Sequence, residues 1–295
     1  MKNYGLAVPT YNRISELLKL LDSIPNSVNI YVSDNGGTVP SSIQDTYSNL
    51  TIKKNLPVVQ MFSNWNLAAN LVTEEWLAVP SDDDIYFPGS FNLFEKYSSQ
   101  HQEMDMIIFG HNVIDANDKI IGTWSPDDVQ ICIPPSGFIK FRYGVNARMP
   151  SIFIKTSLFH KLGGFCEEFS FTASDSDFLQ RASLIANILF VPEVISGYRV
   201  WEGGATSDKI GTHEWMLQID HWCNRISNFC NEQSINLYSS KIHDEIYGQN
   251  LLGGIANLKK NRGYHATWSH FRKCRYPVRA TLRTQLRLIY WLIRP

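Results

Sequence analysis

The chain has 295 residues, 44% hydrophobic and 13% aromatic, with a formal net charge of −1. This is globular composition with material for one large α/β domain or a domain plus an appendage, and no run of 18 or more apolar residues is present to span a bilayer. The charge is uneven: residues 246–295 hold ten Lys or Arg and no acid, against 17 basic and 28 acidic groups before them.

Met1-Lys2-Asn3-Tyr4 leads straight into a strand pattern, so no secretory signal is expected. Cys132, Cys166, Cys223, Cys230 and Cys274 are odd in number and contain no Cys-x-x-Cys pair. They are expected as free thiols in a reducing cytoplasm. The eight histidines show no helical pairing with a third ligand, so structural zinc is not expected.

Tyr4 to Val8 read as a first strand, left by the loop Pro9-Thr10-Tyr11-Asn12-Arg13. Leu17, Leu18, Leu20 and Leu21 give a helical apolar face, closed by Pro25-Asn26. Val28 to Val32 form a second strand ending in Ser33-Asp34-Asn35-Gly36-Gly37. Asp34 there is placed either to hydrogen-bond a nucleoside beyond a strand's carboxyl end or simply to make an Asn-Gly turn. A helix is expected over 43–50, a third strand over 56–61 and a helix from Asn64 to Glu75.

Trp76 to Val79 make a short strand, followed by Pro80, Ser81 and three acids, Asp82, Asp83 and Asp84. Adjacent carboxylates repel one another, and either water on an exposed turn or a divalent cation offsets that charge. Mg²⁺ and Mn²⁺ suit one or two carboxylates shared with a substrate's phosphates. Pro88-Gly89 then precede a helix over 90–97. Strand–helix alternation through the first hundred residues predicts a mostly parallel sheet flanked by helices. Gly-x-Gly-x-x-Gly and Gly-Lys-Ser/Thr are both missing, which disfavours dinucleotide redox chemistry and P-loop phosphoryl transfer.

Further strands are expected over 106–112, 119–124, 151–155 and 191–198, with helices over 138–143 and 157–162. Two later stretches carry chemistry. One is Gly163-Gly164-Phe165 followed by Ser174-Asp175-Ser176-Asp177 at a helix start. The other is Tyr198-Arg199-Val200-Trp201 before Gly203-Gly204, a pair able to hinge a lid or make an exposed turn. Asp175 and Asp177 also suit helix capping.

In order and spacing these segments resemble the inverting family 2 glycosyltransferases of GT-A fold, over residues 4–205. The segments are Pro9 to Arg13, Ser33-Asp34-Asn35, Asn64 to Asn70, Ser81 to Asp84 with Pro88, and the two later stretches. The resemblance implies a Rossmann-like sheet and a nucleotide-sugar donor, with a UDP-sugar expected. Pro9, Thr10, Tyr11, Arg13, Asp34 and Asn64 would then border the nucleoside, and Asp82 the ribose or phosphate. Asp83 and Asp84 would hold Mn²⁺ or Mg²⁺, and Arg199 would contact the diphosphate. Asp175 occupies the slot of the general base, which an inverting displacement needs to take the acceptor hydroxyl's proton.

Three positions depart from the family pattern. Ser81 and Ser174 stand at slots usually acidic, and Trp201 stands where many members carry His. A non-catalytic nucleotide-sugar-binding or assembly subunit, or a nucleotidyltransferase, is the alternative. The resemblance also implies a glycan or lipid-linked acceptor in bacterial surface polysaccharide synthesis.

From His213 the pattern is helical, with an interruption expected at Gly253-Gly254. The domains expected are 1–210, catalytic, and 211–295, a helical extension. In its tail, Arg279, Arg283 and Arg287 recur every four residues beside a stripe of Leu282, Leu286, Ile289 and Ile293, with Tyr290 and Trp291. Such a helix either lies on an anionic membrane surface, making the protein cytoplasmic and peripheral, or docks on the acidic body. No nucleic-acid fold signature accompanies the charge.

Overall fold

The structure is a computed structural model that describes residues 2–201 and 209–293. The chain divides into two compact units: Met1–Ile139 with Asn146–Ser170 and Ala182–Trp201, and Lys140–Val145 with Phe171–Arg181 and Glu202–Pro295.

The first unit is a ten-stranded mixed sheet with helices packed on it. Its strands are β1 (Tyr4–Thr10), β2 (Asn29–Asn35), β3 (Leu50–Asn55), β4 (Trp76–Ala78), β5 (Ile85–Tyr86), β6 (Met106–Ile114), β7 (Ile120–Trp124), β8 (Gln130–Cys132), β9 (Ile152–Lys155) and β10 (Ile188–Arg199). The main order is 3-2-1-4-9-6-10-5, with β7 added beside β6 and β8 beside β10. β3, β2, β1 and β4 run parallel, as do β6 and β10, while β9 runs antiparallel to β4 and β6 between them.

All seven residues of β1 are buried, which explains its near-continuous apolar run: a central parallel strand is covered on both faces. The helices in chain order are α1 (Ile14–Asp22), α2 (Ile43–Thr46), α3 (Met61–Ala69), α4 (Ser90–Gln100), α5 (Gly137–Phe141) and α6 (Thr156–Lys161). They are followed by α7 (Ser174–Ile185), α8 (His213–Glu232), α9 (Ser240–Lys273) and α10 (Leu282–Ile293). α1 buries Leu17, Leu20 and Leu21 against the sheet. α4 adds Phe94, whose ring stacks on Phe153 at 3.9 Å and meets Tyr4 and Trp76 edge-on.

The order 3-2-1-4 has the form in which open α/β sheets commonly take ligands. The chain leaves β1 toward β2 on one side, and β4 is added on the other. Their carboxyl ends therefore open a crevice at a topological switch point.

Three local expectations are corrected. The third strand is Leu50–Asn55 rather than 56–61, and Leu56 and Val58 are exposed. β3 is a sheet edge whose Lys53 and Lys54 face water, so its apolar signal is weak. The following helix starts at Met61, three residues earlier than expected, and ends at Ala69. In the second unit α9 runs unbroken through Gly253-Gly254, and its non-helical residue is Gly263, at φ 78°. Gly254 serves contact instead: a Cβ there would lie 2.9 Å from the Cα of Gly211.

Within the second unit α8 packs on α9 and α9 on α10. Acids of α8 and α9 hold the approach to α10. Arg275 pairs with Asp220 and Asp244 and lies over the Tyr247 ring at 3.9 Å. Glu245 accepts from Thr281 N at 2.7 Å and from Thr284 Oγ1 at 2.6 Å. α10 thus docks by one face, burying Thr284, Leu288 and Leu292, and leaves Leu282, Leu286, Ile289, Tyr290 and Ile293 exposed on the other. Among the described residues no helix is long and apolar enough to cross a membrane.

Candidate active site

The crevice beyond β1 and β4 collects the residues that the sequence singled out on either side of it. Thr10, the last residue of β1, donates its hydroxyl to Asp82 Oδ2 at 2.7 Å. Arg13, at the end of the next loop, places Nη1 3.2 Å from Asp82 Oδ1 and 2.7 Å from Asp83 Oδ2. Trp201 donates its indole N–H to that same Asp83 oxygen at 3.1 Å, and the Arg13 guanidinium lies 4.9 Å from the Trp201 ring centroid.

The triplet is therefore buried, not a solvated turn, and its three carboxylates divide the work. Asp84 spends both oxygens on backbone N–H groups, of Ser81 at 2.8 Å and Arg199 at 3.2 Å. Burial, and then the Asp83 charge, hold its carboxyl well above the ordinary carboxylate range. Asp82 is pushed up to about 6 by burial, against the pull of Arg13 and Thr10.

Asp82 and Asp83 are the pair that suits a cation, because one nitrogen of Arg13 already bridges an oxygen of each. Two convergent carboxylate oxygens, with phosphate oxygens to follow, are a donor set for Mg²⁺ or Mn²⁺. Asp84, expected beside them, has its oxygens engaged in the turn.

Arg199 is buried and fully committed. Nε donates to Asp83 O at 2.7 Å, Nη1 to Asp115 O at 2.7 Å, and Nη2 pairs with Asp118 on the β6–β7 turn. A diphosphate contact by Arg199 requires one of these bonds to exchange. Asp115 and Asp118 were not legible as site residues, since the Asp-Ala-Asn-Asp turn that contains them has the composition of any hairpin.

Asn64 on α3 ties three strand ends together. Its Oδ1 accepts from Ser33 Oγ at 2.8 Å and Asn55 Nδ2 at 3.0 Å, and its Nδ2 donates to Thr10 O at 3.3 Å. Asp34 is wholly buried and braces its own turn, accepting from Thr38 N and Val39 N at 3.2 and 2.9 Å. Tyr11 is half-exposed beside it. Gly36 has φ +106°, and a Cβ there would lie 3.5 Å from the Tyr11 ring and 3.6 Å from Val58. Pro9 is buried within β1.

The Gly163-Gly164-Phe165 turn is pinned to α3. Asn66 bonds both the N–H and the C=O of Phe165, at 2.9 and 2.8 Å. Gly164, at φ +68°, leaves room for that amide, which would lie 2.6 Å from a Cβ.

In the second unit the two acids at the start of α7 differ sharply. Asp177 is wholly buried and accepts from Arg181 at 2.9 Å and Arg225 at 3.1 Å. Asp175 is half-buried and accepts from the N–H of Ser176 at 2.7 Å, and among the described residues no Lys or Arg pairs with it. Gly203-Gly204, read as a possible lid hinge, lies outside the described residues.

Comparison with known proteins follows the same line. The chain is 27% identical over 242 residues to an uncharacterized glycosyltransferase of Mycoplasma genitalium, covering 73% of this chain and 75% of the relative. No protein-family model matches. Among solved structures, residues 1–349 of S. aureus TarS in complex with UDP-GlcNAc superpose with a TM-score of 0.67 at 17% identity, covering 99% of this chain and 87% of that one.

The mannosyltransferase PcManGT of Pyrobaculum calidifontis, in complex with GDP-Man and Mn²⁺, gives 0.54 at 14% identity, covering 99% and 85%. The fold is that of GT-A glycosyltransferases. In sequence the resemblance to glycosyltransferases holds as well.

Proposed function

We propose that this protein is a metal-dependent, inverting glycosyltransferase that moves a sugar from a nucleotide-sugar to a hydroxyl of a glycan. One observation carries the reading: Thr10, Arg13, Asp82 and Asp83 converge at the carboxyl ends of β1 and β4, the switch point where this sheet receives a ligand.

Tyr11 and Gly36 border the nucleoside, with Asp34 bracing the turn that carries Gly36 and with Pro9 and Asn64 holding the strand ends beneath it. Asp82 faces the ribose or phosphate, and Asp83 with Asp82 would hold Mn²⁺ or Mg²⁺. The ion supplies charge neutralisation for the departing diphosphate. Asp175 takes the acceptor hydroxyl's proton as it attacks the anomeric carbon. That no Lys or Arg among the described residues pairs with it supports that role, since a carboxylate already tied into an ion pair is a poorer base. Asp177, between Arg181 and Arg225, is structural. The donor is a UDP-sugar in this reading, in line with the UDP-GlcNAc held by TarS, while the GDP-Man of the mannosyltransferase makes the base a point to test.

The acceptor is a lipid-linked glycan of a bacterial surface polysaccharide, reached at the cytoplasmic face of the membrane. The open stripe of α10, beside the exposed Arg279, Arg283 and Arg287, supports that placement, because apolar residues flanked by arginines suit an anionic lipid surface.

Calorimetric titration with UDP, GDP, CDP and dTDP, each with Mn²⁺ and with EDTA, tests the donor site. Binding of one nucleotide that depends on Mn²⁺ is expected. Absence of binding by all four refutes the reading.

A further inference from the structure

The group that fills the acidic pair in this structure is a side chain of the protein itself. Arg13 Nη1 sits between Asp82 and Asp83, within 3.2 Å of one and 2.7 Å of the other. Two buried carboxylates and one guanidinium leave a net single negative charge there. A divalent ion held by the same two carboxylates would face the guanidinium across a few ångströms, and like charges that close in a half-buried setting repel strongly. The two cations exclude one another.

The surroundings are built for such an exchange. Arg13 is fixed by its backbone, whose carbonyl accepts from Leu17 N at 3.0 Å at the start of α1. Its side chain keeps about a quarter of its surface exposed, at 27%. The carboxylates have other holders. Thr10 donates to Asp82 Oδ2, the oxygen that Arg13 leaves alone, and Trp201 donates to Asp83. An indole N–H only donates, so Trp201 steadies Asp83 without competing as a ligand. Its ring face also offers the departing guanidinium a place to rest, since the two already stack at 4.9 Å.

We propose that Arg13 is the resident counter-cation of the Asp82–Asp83 pair, displaced when a divalent cation enters with the donor, and that the freed guanidinium then turns to the donor's diphosphate. The proposal rests on the function proposed above and deepens it. It makes metal and nucleotide binding mutually dependent: metal alone must evict Arg13 with no new partner for it, whereas a diphosphate supplies one. Arg13 is then a gate against metal loading of the empty enzyme as well as a donor ligand.

The test is Mn²⁺ binding to the whole chain, followed by the electron paramagnetic resonance signal of free Mn²⁺, with and without UDP. In the wild type, UDP should tighten Mn²⁺ binding. Without UDP, Arg13→Gln should bind Mn²⁺ roughly tenfold more tightly than wild type, the scale of effect from removing a charge-assisted bond to the pair. UDP should then add less in the variant. A misfolded variant would lose affinity, so a gain cannot come from damage.

Equal or weaker Mn²⁺ binding by Arg13→Gln without UDP, with the UDP-assisted binding of the wild type intact, overturns the exchange and leaves the donor site standing. If neither chain binds Mn²⁺ even with UDP, the metal-dependent reading fails and the exchange fails with it.

Discussion

The two acids that open α7 should separate cleanly under substitution. Asp177 has no exposed surface and neutralises Arg181, itself nearly buried, together with Arg225. Asp177→Ala removes the buried carboxylate that both guanidinium groups share. Breaking a buried pair from one side costs about 3–5 kcal/mol, most of it the penalty of the stranded charge. For a unit of this size that corresponds to a melting temperature lower by roughly 10–20 °C. Asp175→Asn removes a half-buried carboxylate with one local bond to Ser176 N, and the amide oxygen can still accept that bond. Its stability change should stay within about 0.5 kcal/mol.

Function should divide the other way. Asp175→Asn is expected to keep nucleotide affinity and lose sugar transfer by at least about a hundredfold, the lower range for a general base. Thermal melts, nucleotide titration and a transfer assay on the same preparations distinguish the two. Near-wild-type transfer by Asp175→Asn would refute the base assignment. A wild-type melting temperature for Asp177→Ala would refute the structural reading of its partner acid.

Two further expectations concern other parts of the chain. Burial, with Arg148 nearby, pushes His111 down to about 4. Its unfolded-state value near 6.5 is higher, so the unfolded chain takes up the proton first, and stability falls as pH drops from about 6.5 to about 4, by about 3 kcal/mol at most. Asp82, raised to about 6 in the folded state, acts in the opposite sense over 3.8 to 6. The difference between wild type and His111→Phe in denaturant melts isolates the histidine, and parallel pH profiles would refute the assignment. On α10, Leu286→Glu with Ile289→Glu alters two exposed positions, so folding should be unchanged, while co-sedimentation with phosphatidylglycerol vesicles should fall about tenfold or more. Unaltered co-sedimentation would exclude the stripe as a lipid contact.

The sheet's centre was legible in the sequence because burial on both faces leaves an unmistakable apolar run, as in β1, and because acids and turns follow such strands at regular intervals. The edge was not. β3 shows water its lysines, and the apolar Leu56 and Val58 that imitate a strand lie in an exposed loop. The Gly253-Gly254 pair was misread for a related reason: glycine in a helical pattern signals either a break or a close approach, and only the partner segment, here Gly211, decides. In the candidate site the residue types were legible and their engagements were not. Nothing in Asp82-Asp83-Asp84 says which carboxylate is spent on backbone N–H groups, because Arg199, which supplies one of them, is over a hundred residues away. The Trp201 indole bond to Asp83 was equally hidden, since the sequence showed only a missing histidine.

The amide of Asn64 has a consequence for how this protein can change over generations. One side chain from α3 joins Ser33, Asn55 and the Thr10 carbonyl, so the ends of three parallel strands form a tied rim. The loops that leave this rim, at 11–13, 36–39 and 56–60, start from fixed anchor points, so substitution at their exposed positions Tyr11, Leu56 and Val58 leaves those anchors in place. On the proposed function, donor preference can change through those positions alone, with Thr10 still presented to Asp82. Loss of Asn64 would release all three of these anchors at once.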